Sequence, residues 1–154
     1  MTDSITLLPA KILDRASLSG NEYAWPINDI PDVIEAVRKE NLISIGGQLQ
    51  FRIPDRFGGG TCECYWVEVD TCKSVSDNMP WHDRVNETAD TALLDFENLK
   101  TKYNFLEEGR KAFGKYLDEA EELGADIQEL MCFVWYTNSE EEYNRLSDSK
   151  TNAH

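Results

Sequence analysis

The sequence predicts an α+β fold, in which a small antiparallel sheet built on a central hairpin is covered by three to four helices. Two segments, residues 42–53 and 61–71, show the alternation of polar and apolar side chains that is typical of strands. A turn rich in glycine separates them. Residues 130–137 are almost entirely apolar, which predicts a further strand that is buried on both faces and lies beside the hairpin.

The first thirty residues contain short elements. The segment Lys11–Leu18 is compatible with a short helix, and residues 20–21 (Gly-Asn) indicate a turn. Tyr23–Trp25 is expected to be extended, because it precedes Pro26 and a residue before proline avoids the helical region. We therefore expect no long element before residue 30.

A first long helix is predicted from about Pro31 to Asn41. Proline suits the first turn of a helix, Asn28 or Asp29 can cap its start, and Asn41 can end it. Apolar residues recur at the spacing i, i+3, i+4, i+7 that forms one helical stripe: Ile30, Val33, Ile34 and Val37.

The hairpin follows this helix directly. Its first strand is expected to bury the odd-numbered residues Ile43, Ile45, Leu49, Phe51 and Ile53, and to expose the even-numbered residues Ser44, Gln48, Gln50 and Arg52. The pair Gly46-Gly47 is interpreted as a bulge or as a site of close backbone approach. Neither glycine-rich stretch matches a phosphate-binding loop, since no lysine follows and no strand leads into a helix.

Two further long helices are predicted after the hairpin. The first covers about Trp81–Tyr103, and the second about Leu106–Leu123, with Gly124 to end it. The apolar face of the second is predicted from its spacing to contain Leu106, Phe113, Tyr116, Leu117, Ala120 and Leu123. Ser139 and Glu142 match a capping box, so a short helix through about Leu146 is expected, followed by a frayed tail at 147–154.

The composition indicates one acidic globular domain that spans residues 1–154. The chain has 41% hydrophobic residues, 29 acidic against 15 basic residues, and a net charge of −14. Such a charge repels nucleic acid phosphate and anionic lipid, so we expect neither as a direct partner. Residues 1–10 do not resemble a secretory signal, which leads us to expect a cytoplasmic protein with reduced cysteines.

Cysteine chemistry is a weak prediction in this chain. Cys62 and Cys64 share a strand face, and Cys72 with His82 would complete a set of four metal ligands, but the spacing is not that of a familiar zinc module. A nucleophilic cysteine would have His82 as its only plausible base, in an acidic neighbourhood that opposes thiolate formation. We expect no metal, no cofactor and no catalytic residue, although the four-ligand alternative stays open at this point.

Acidic residues supply the most distinctive functional signal. Asp118, Glu119, Glu121 and Glu122 place four carboxylates within five residues at the end of a predicted helix, where they oppose the helix dipole and repel one another. Residues 105–154 carry 12 acidic and 5 basic residues, against 17 and 10 in residues 1–104, so the charge density is about doubled there. An acidic cluster that does not stabilise the helix is a candidate for a partner-binding face. The alternative explanation is that these residues only keep the protein soluble.

Several segments resemble a family of small acidic bacterial proteins. The similarity is carried by WP at 25–26, the helix that follows, IGGQLQFR at 45–52 and CECYW at 62–66, within residues 22–100. These segments are similar to immunity-type proteins of polymorphic or contact-dependent toxin systems. The resemblance implies a cytosolic protein that binds one cognate toxin domain and blocks it.

The sequence thus leads to three hypotheses: an immunity protein that occludes a basic toxin domain such as a nuclease, a nucleic-acid mimic that inhibits a defence nuclease, and a small enzyme with a carboxylate-lined pocket. The first is preferred, because carboxylates can cover a surface that holds phosphate, and exposed aromatic residues can anchor the complex. The candidate partner-binding residues are Glu68, Asp70, Asp118, Glu119, Glu121, Glu122, Trp66 and Trp81.

Overall fold

A five-stranded antiparallel sheet forms the centre of the fold, as the α+β prediction requires. The computed structural model describes residues 4–68 and 78–145, and residues 65–68 by their backbone alone. The strands are β1 (Ser17–Ser19), β2 (Glu22–Trp25), β3 (Ile43–Arg52), β4 (Thr61–Glu68) and β5 (Met131–Asn138). They lie in the order β1-β2-β5-β3-β4, and each neighbouring pair is antiparallel.

β5 is the central strand although it is the last in the sequence. It pairs with β2, where Ala24 lies opposite Val134, and along its whole length with β3, where Leu49 lies opposite Phe133. The side chains of residues 132–135 are all buried. The prediction of a strand that lies beside the hairpin and is covered on both faces is confirmed.

The helices in the described part of the chain are α1 (Ala10–Leu13), α2 (Ile30–Lys39), α3 (Trp81–Lys102), α4 (Phe105–Glu122) and α5 (Ile127–Leu130), and residues 140–145 are also helical. The three long helices were predicted to within about two residues. The capping box is confirmed as well, since the Ser139 amide donates to Glu142 Oε1 (2.9 Å) and the Glu142 amide donates to Ser139 Oγ (3.1 Å). The predicted tail at 147–154 lies outside the described residues.

One face of the sheet, called here the inner face, packs against the helices. α2 and α3 both contact β3, and α4 contacts β4. The side chains at its centre are fully buried aromatic and aliphatic residues of the sheet: Trp25, Leu49, Phe51, Phe133 and Trp135. Burial of each such side chain contributes about 1.5–3 kcal/mol, so this face supplies most of the hydrophobic stabilisation.

The predicted helix over Lys11–Leu18 is wrong in its second half. α1 ends at Leu13, and Ser17–Ser19 forms β1, which pairs with β2 through the turn at 20–21. Gly20 has a φ of 60°, a conformation that glycine adopts without strain, and this turn brings the chain back as a hairpin. Pairing with β2 therefore overrides the weak helical pattern in this short segment.

The predicted burial pattern of β3 is wrong in part, and a bulge explains the difference. The ladder between β3 and β5 is irregular between Ser44 and Gly46, so the alternation changes phase there. Ile45, expected in the core, is 37% exposed, whereas Ser44 is buried. A Cβ atom at Gly47 would overlap the aromatic side chains of β5, so both readings of the glycine pair, bulge and close approach, are confirmed.

Candidate functional site

Four carboxylates are exposed at the end of α4. Asp118, Glu119, Glu121 and Glu122 all lie on the protein surface, and they are called here the acidic helix end. The last turn of α4 contains no basic residue, so the negative end of the helix dipole adds to their charge instead of being neutralised. The result is a local concentration of negative potential on one part of the surface.

Arg110 partly neutralises this cluster. Its Nη1 lies 2.8 Å from Glu121 Oε1 and 3.5 Å from Asp118 Oδ1. Hydrogen bonding to Glu121 raises the pKa of Arg110, and the same bond lowers the pKa of Glu121. The expectation that the cluster has no structural benefit is therefore wrong for two of its four members. Within the described residues, no cation lies at ion-pair distance from Glu119.

α4 is kinked, and the kink changes which side chains it exposes. Phe113 has non-helical angles (φ −133°, ψ 29°) in the middle of the helix. Leu117 is completely buried beyond this point, whereas Tyr116 and Leu123 are 58% and 59% exposed. The apolar spacing of α4 predicts, by contrast, that Tyr116 and Leu123 lie on the buried face. The error has a physical cause: a phase change at one residue rotates the following turns relative to the turns before it.

The exposed apolar residues lie among the carboxylates. Tyr116, Glu119 and Leu123 have the spacing i, i+3, i+7, which places them on one face of the second half of α4. This row is called here the α4 stripe. It joins apolar contact area to negative charge, and only Lys115 of the adjoining residues is basic.

Trp81, a predicted anchor for a partner, is used inside the protein. Its Nε1–H donates to the carbonyl oxygen of Asn41 (2.8 Å), and its ring centroid lies 5.8 Å from that of Tyr143. It is half-buried at the start of α3. Its contacts thus connect α3 to the end of α2 and to the helical segment 140–145, and the acidic helix end is not among them.

The remaining predicted residues belong to the second hairpin strand or follow it. In β4 the backbone of Trp66 lies opposite Gln48, and that of Glu68 lies opposite Gly46. The side chains of Trp66 and Glu68, and all of Asp70, lie outside what the structure describes. Their assignment to a binding surface stays a prediction.

The described cysteines do not form a metal site. Cys62 is buried and Cys64 half-buried on the inner face, and burial raises the pKa of both thiols, that of Cys64 to about 11. His82 is exposed and contacts Asn86, while Cys72 lies outside the described residues. Residues 4–68 and 78–145 contain no cluster of three metal-ligating side chains. Neutral thiols in this setting pack as small apolar groups.

The outer face of the sheet carries a hydrogen-bond network that no local sequence pattern predicts. Gln50 is 1% exposed, and its Nε2 donates to Glu22 Oε2 (3.3 Å) and Glu63 Oε1 (3.1 Å). Gln48 Nε2 donates to Glu63 Oε2 (2.9 Å), and the Tyr136 hydroxyl donates to Glu22 Oε1 (3.1 Å). All four carboxylate oxygens thus accept a hydrogen bond, which explains why two glutamines expected in water are buried.

Arg52 closes the network at one end. Its Nε donates to Gln50 Oε1 (3.1 Å), and its Nη atoms donate to the carbonyl oxygens of Ser17 (2.8 Å) and Glu22 (3.0 Å). These bonds join β3 to the β1–β2 hairpin across the sheet. Burial and the nearby Glu22 raise the pKa of Tyr136, which keeps its phenol neutral. With its donors and acceptors used internally, the network is suited to fixing strand positions.

A cleft of about 790 Å³ opens beside this network, between the β1–β2 hairpin and the end of β5. Leu18 and Ile45 contribute apolar surface, Glu22 and Glu142 contribute carboxylates, and no lysine or arginine lines it. Its charge has the same sign as that of the acidic helix end. The Glu22 carboxylate in this cleft accepts hydrogen bonds from Gln50 and Tyr136.

None of the helices in the described ranges combines the length and apolar character needed to cross a bilayer. No protein-family model, curated protein or solved structure matches this chain. Any functional conclusion therefore rests on the chemistry of its own residues.

Proposed function

We propose that this chain is a non-catalytic acidic binding protein that neutralises a basic partner by covering its working surface, in the manner of a toxin-immunity protein. The observation that supports this most directly is the acidic helix end, where four carboxylates are exposed and Arg110 pairs with only two of them, Asp118 and Glu121. The net charge of the whole chain, −14, has the same sign. A partner rich in lysine and arginine is the complementary protein.

Electrostatic attraction explains how such a protein would act quickly. Opposite potentials on two proteins raise the association rate, up to about 10⁸–10⁹ M⁻¹s⁻¹ at low salt. A toxin that acts on nucleic acid holds phosphate with cationic side chains, and carboxylates can occupy the same positions. The inhibitor would then work by occlusion, in the cytoplasm, without cofactor and without contact to nucleic acid or membrane.

The test is neutralisation of the product of the adjacent gene, which the proposal expects to be a toxin. Cells that express that product should survive when this chain is co-expressed, and purified complexes should form more slowly as salt is raised. Replacing the acidic helix end by Asn and Gln (D118N, E119Q, E121Q, E122Q) should slow association and weaken protection. An unchanged association rate at every salt concentration would refute the electrostatic mechanism, and absence of any complex would refute the function.

The outer surface of α3 favours a second candidate, a nucleic-acid mimic. Asp83, Glu87, Asp90 and Glu97 are exposed at spacings of i, i+4, i+7 and i+14, which makes a row of carboxylates along one helix. Such a row resembles a line of phosphates more than the acidic helix end does. Asp90 is paired with Arg38 (2.7 Å) and Glu97 with Lys100 (3.9 Å), which shortens the free part of the row to Asp83 and Glu87.

One comparison separates the two candidates. The four α3 carboxylates and the four of the acidic helix end can each be neutralised by Asn and Gln, with the same change in net charge. Occlusion through α4 predicts that only the α4 variant loses fast association. A nucleic-acid mimic predicts that the α3 variant loses inhibition of a DNA-cleaving enzyme while the α4 variant retains it.

A further inference from the structure

The α4 stripe is an exposed mixed surface that the fold holds in place. Single exposed apolar residues are ordinary in soluble proteins, but Tyr116 and Leu123 share one helix face and are both more than half exposed. Leu117, which follows Tyr116, and Ala120, one turn after it, are completely buried, so the stripe borders the buried face of the helix. The helix therefore cannot turn Tyr116 inward without removing Leu117 from the core.

The charges around the stripe indicate which kind of surface it fits. Glu119 lies between the two apolar residues, and Glu122 is next to Leu123 in the chain. Asp118 and Glu121 pair with Arg110 on the other side of the helix, so Glu119 and Glu122 are the carboxylates next to the stripe. Another acidic surface, including a second copy of this chain with its net charge of −14, would be repelled.

We propose that the α4 stripe is the docking surface for a basic protein whose lysine and arginine side chains surround an apolar pocket, with Tyr116 and Leu123 as the buried anchors. This inference rests on the proposed function and adds the contact surface to it. Tyrosine is among the residues that most often dominate binding energy, because its large ring has few rotatable bonds. The carboxylates would set the association rate and the two anchors the dissociation rate.

The test uses two synthetic helical peptides of about 18 residues, long enough to present one complete face. The first carries lysines beside a leucine stripe, and the second has the same lysines with serine in place of leucine. Each is titrated into the isotopically labelled full chain, and amide shifts are followed by NMR. The leucine peptide should shift signals confined to residues 110–124, and the serine peptide should bind at least about tenfold more weakly.

Matched variants give the decisive comparison. Tyr116→Ser and Leu123→Ser should each weaken the leucine peptide about tenfold. Leu94→Ser serves as control, because Leu94 is 63% exposed on α3, and it should change nothing. Equal binding of the two peptides, shifts centred elsewhere, or an equal loss in the Leu94→Ser variant would overturn the proposal.

The peptide titration and the neutralisation test can fail independently of each other. If the leucine peptide binds the α4 stripe and the adjacent gene product is not neutralised, the docking surface stands and the immunity function falls. If neutralisation occurs and survives both Tyr116→Ser and Leu123→Ser, the function stands and this surface is refuted.

Discussion

Gly109 of α4 lies directly against the aromatic ring of Phe51 in β3. A Cβ atom at position 109 would overlap the ring carbons of Phe51, a completely buried residue at the centre of the inner face. The missing side chain therefore allows α4 to approach the sheet closely. Gly114, five residues further along the same helix, has no atom within 4 Å of its equivalent Cβ position.

These two glycines give a matched pair of stability variants. Gly109→Ala should lower the free energy of unfolding by about 1–3 kcal/mol, since the core must shift to admit a methyl group. Gly114→Ala should raise it by about 0.5–1 kcal/mol, because alanine reduces the entropy of the unfolded chain and favours helix. Urea unfolding with an unchanged m-value measures both. Similar changes in the free energy of unfolding for the two substitutions would contradict the close contact between Gly109 and Phe51.

The outer network predicts a charge-sensitive core position. Gln50→Glu keeps the shape of the side chain but replaces an amide donor by a third carboxylate beside Glu22 and Glu63. We expect a loss of about 2–4 kcal/mol at pH 7, because two acceptors lose their donor and like charges meet in a buried site. The loss relative to wild type should shrink as the pH falls towards 4 and the new carboxyl becomes protonated. A loss that is independent of pH would argue against the charge effect.

The buried thiols predict a decline in stability at alkaline pH. Burial raises the pKa of Cys64 and Cys132 to about 11, from an ordinary value of 9.0. Above pH 9 the unfolded chain releases these protons while the folded chain keeps them. The contribution of the two thiols to the free energy of unfolding is therefore complete below pH 9 and is lost as the pH rises through 11. Cys132→Ala should flatten the dependence of Tm on pH over this interval. An identical slope in wild type and variant would rule out this role for Cys132.

The pairing of Arg110 divides the acidic helix end into two halves. Replacing Glu119 and Glu122 by Gln should increase stability by about 0.2–0.5 kcal/mol for each like-charge pair that is relieved. Replacing Asp118 by Asn and Glu121 by Gln should not increase stability, because these residues form ion pairs with Arg110. Thermal unfolding at low ionic strength compares the two double variants, and in 1 M salt the difference should disappear. A larger gain from the Asp118 and Glu121 variant would contradict the ion pairs.

Local signals in the sequence were sufficient for much of the fold. The three long helices follow from their apolar spacing, and the Ser139–Glu142 capping box depends on residues only three positions apart. The outer network depends on residues far apart in the chain: Tyr136 and Glu22 are separated by 114 positions. No local pattern at Gln50 indicates that such partners will cover it. The alternation of β3 alone therefore predicts that Gln50 is exposed to solvent.

The candidate site was predictable in its charge but not in its shape. The run of carboxylates at 118–122 is visible in the sequence, whereas the exposure of Tyr116 depends on the backbone of Phe113. Phe113 packs against the core and is followed by Gly114, a residue that tolerates a kink, but apolar spacing does not record the change in helix phase. An aromatic residue at core spacing was therefore assigned to the wrong side of the helix.

The central position of β5 has a consequence for synthesis on the ribosome. β2 and β3 are not paired with each other, and the strand that joins them begins at Met131. The nascent chain must therefore keep Trp25, Leu49 and Phe51 without their neighbours in β5 until Met131–Asn138 has been translated. Contacts this distant in sequence also slow the search for the native state. During that interval the chain has to rely on its own negative charge to stay apart from other unfinished copies.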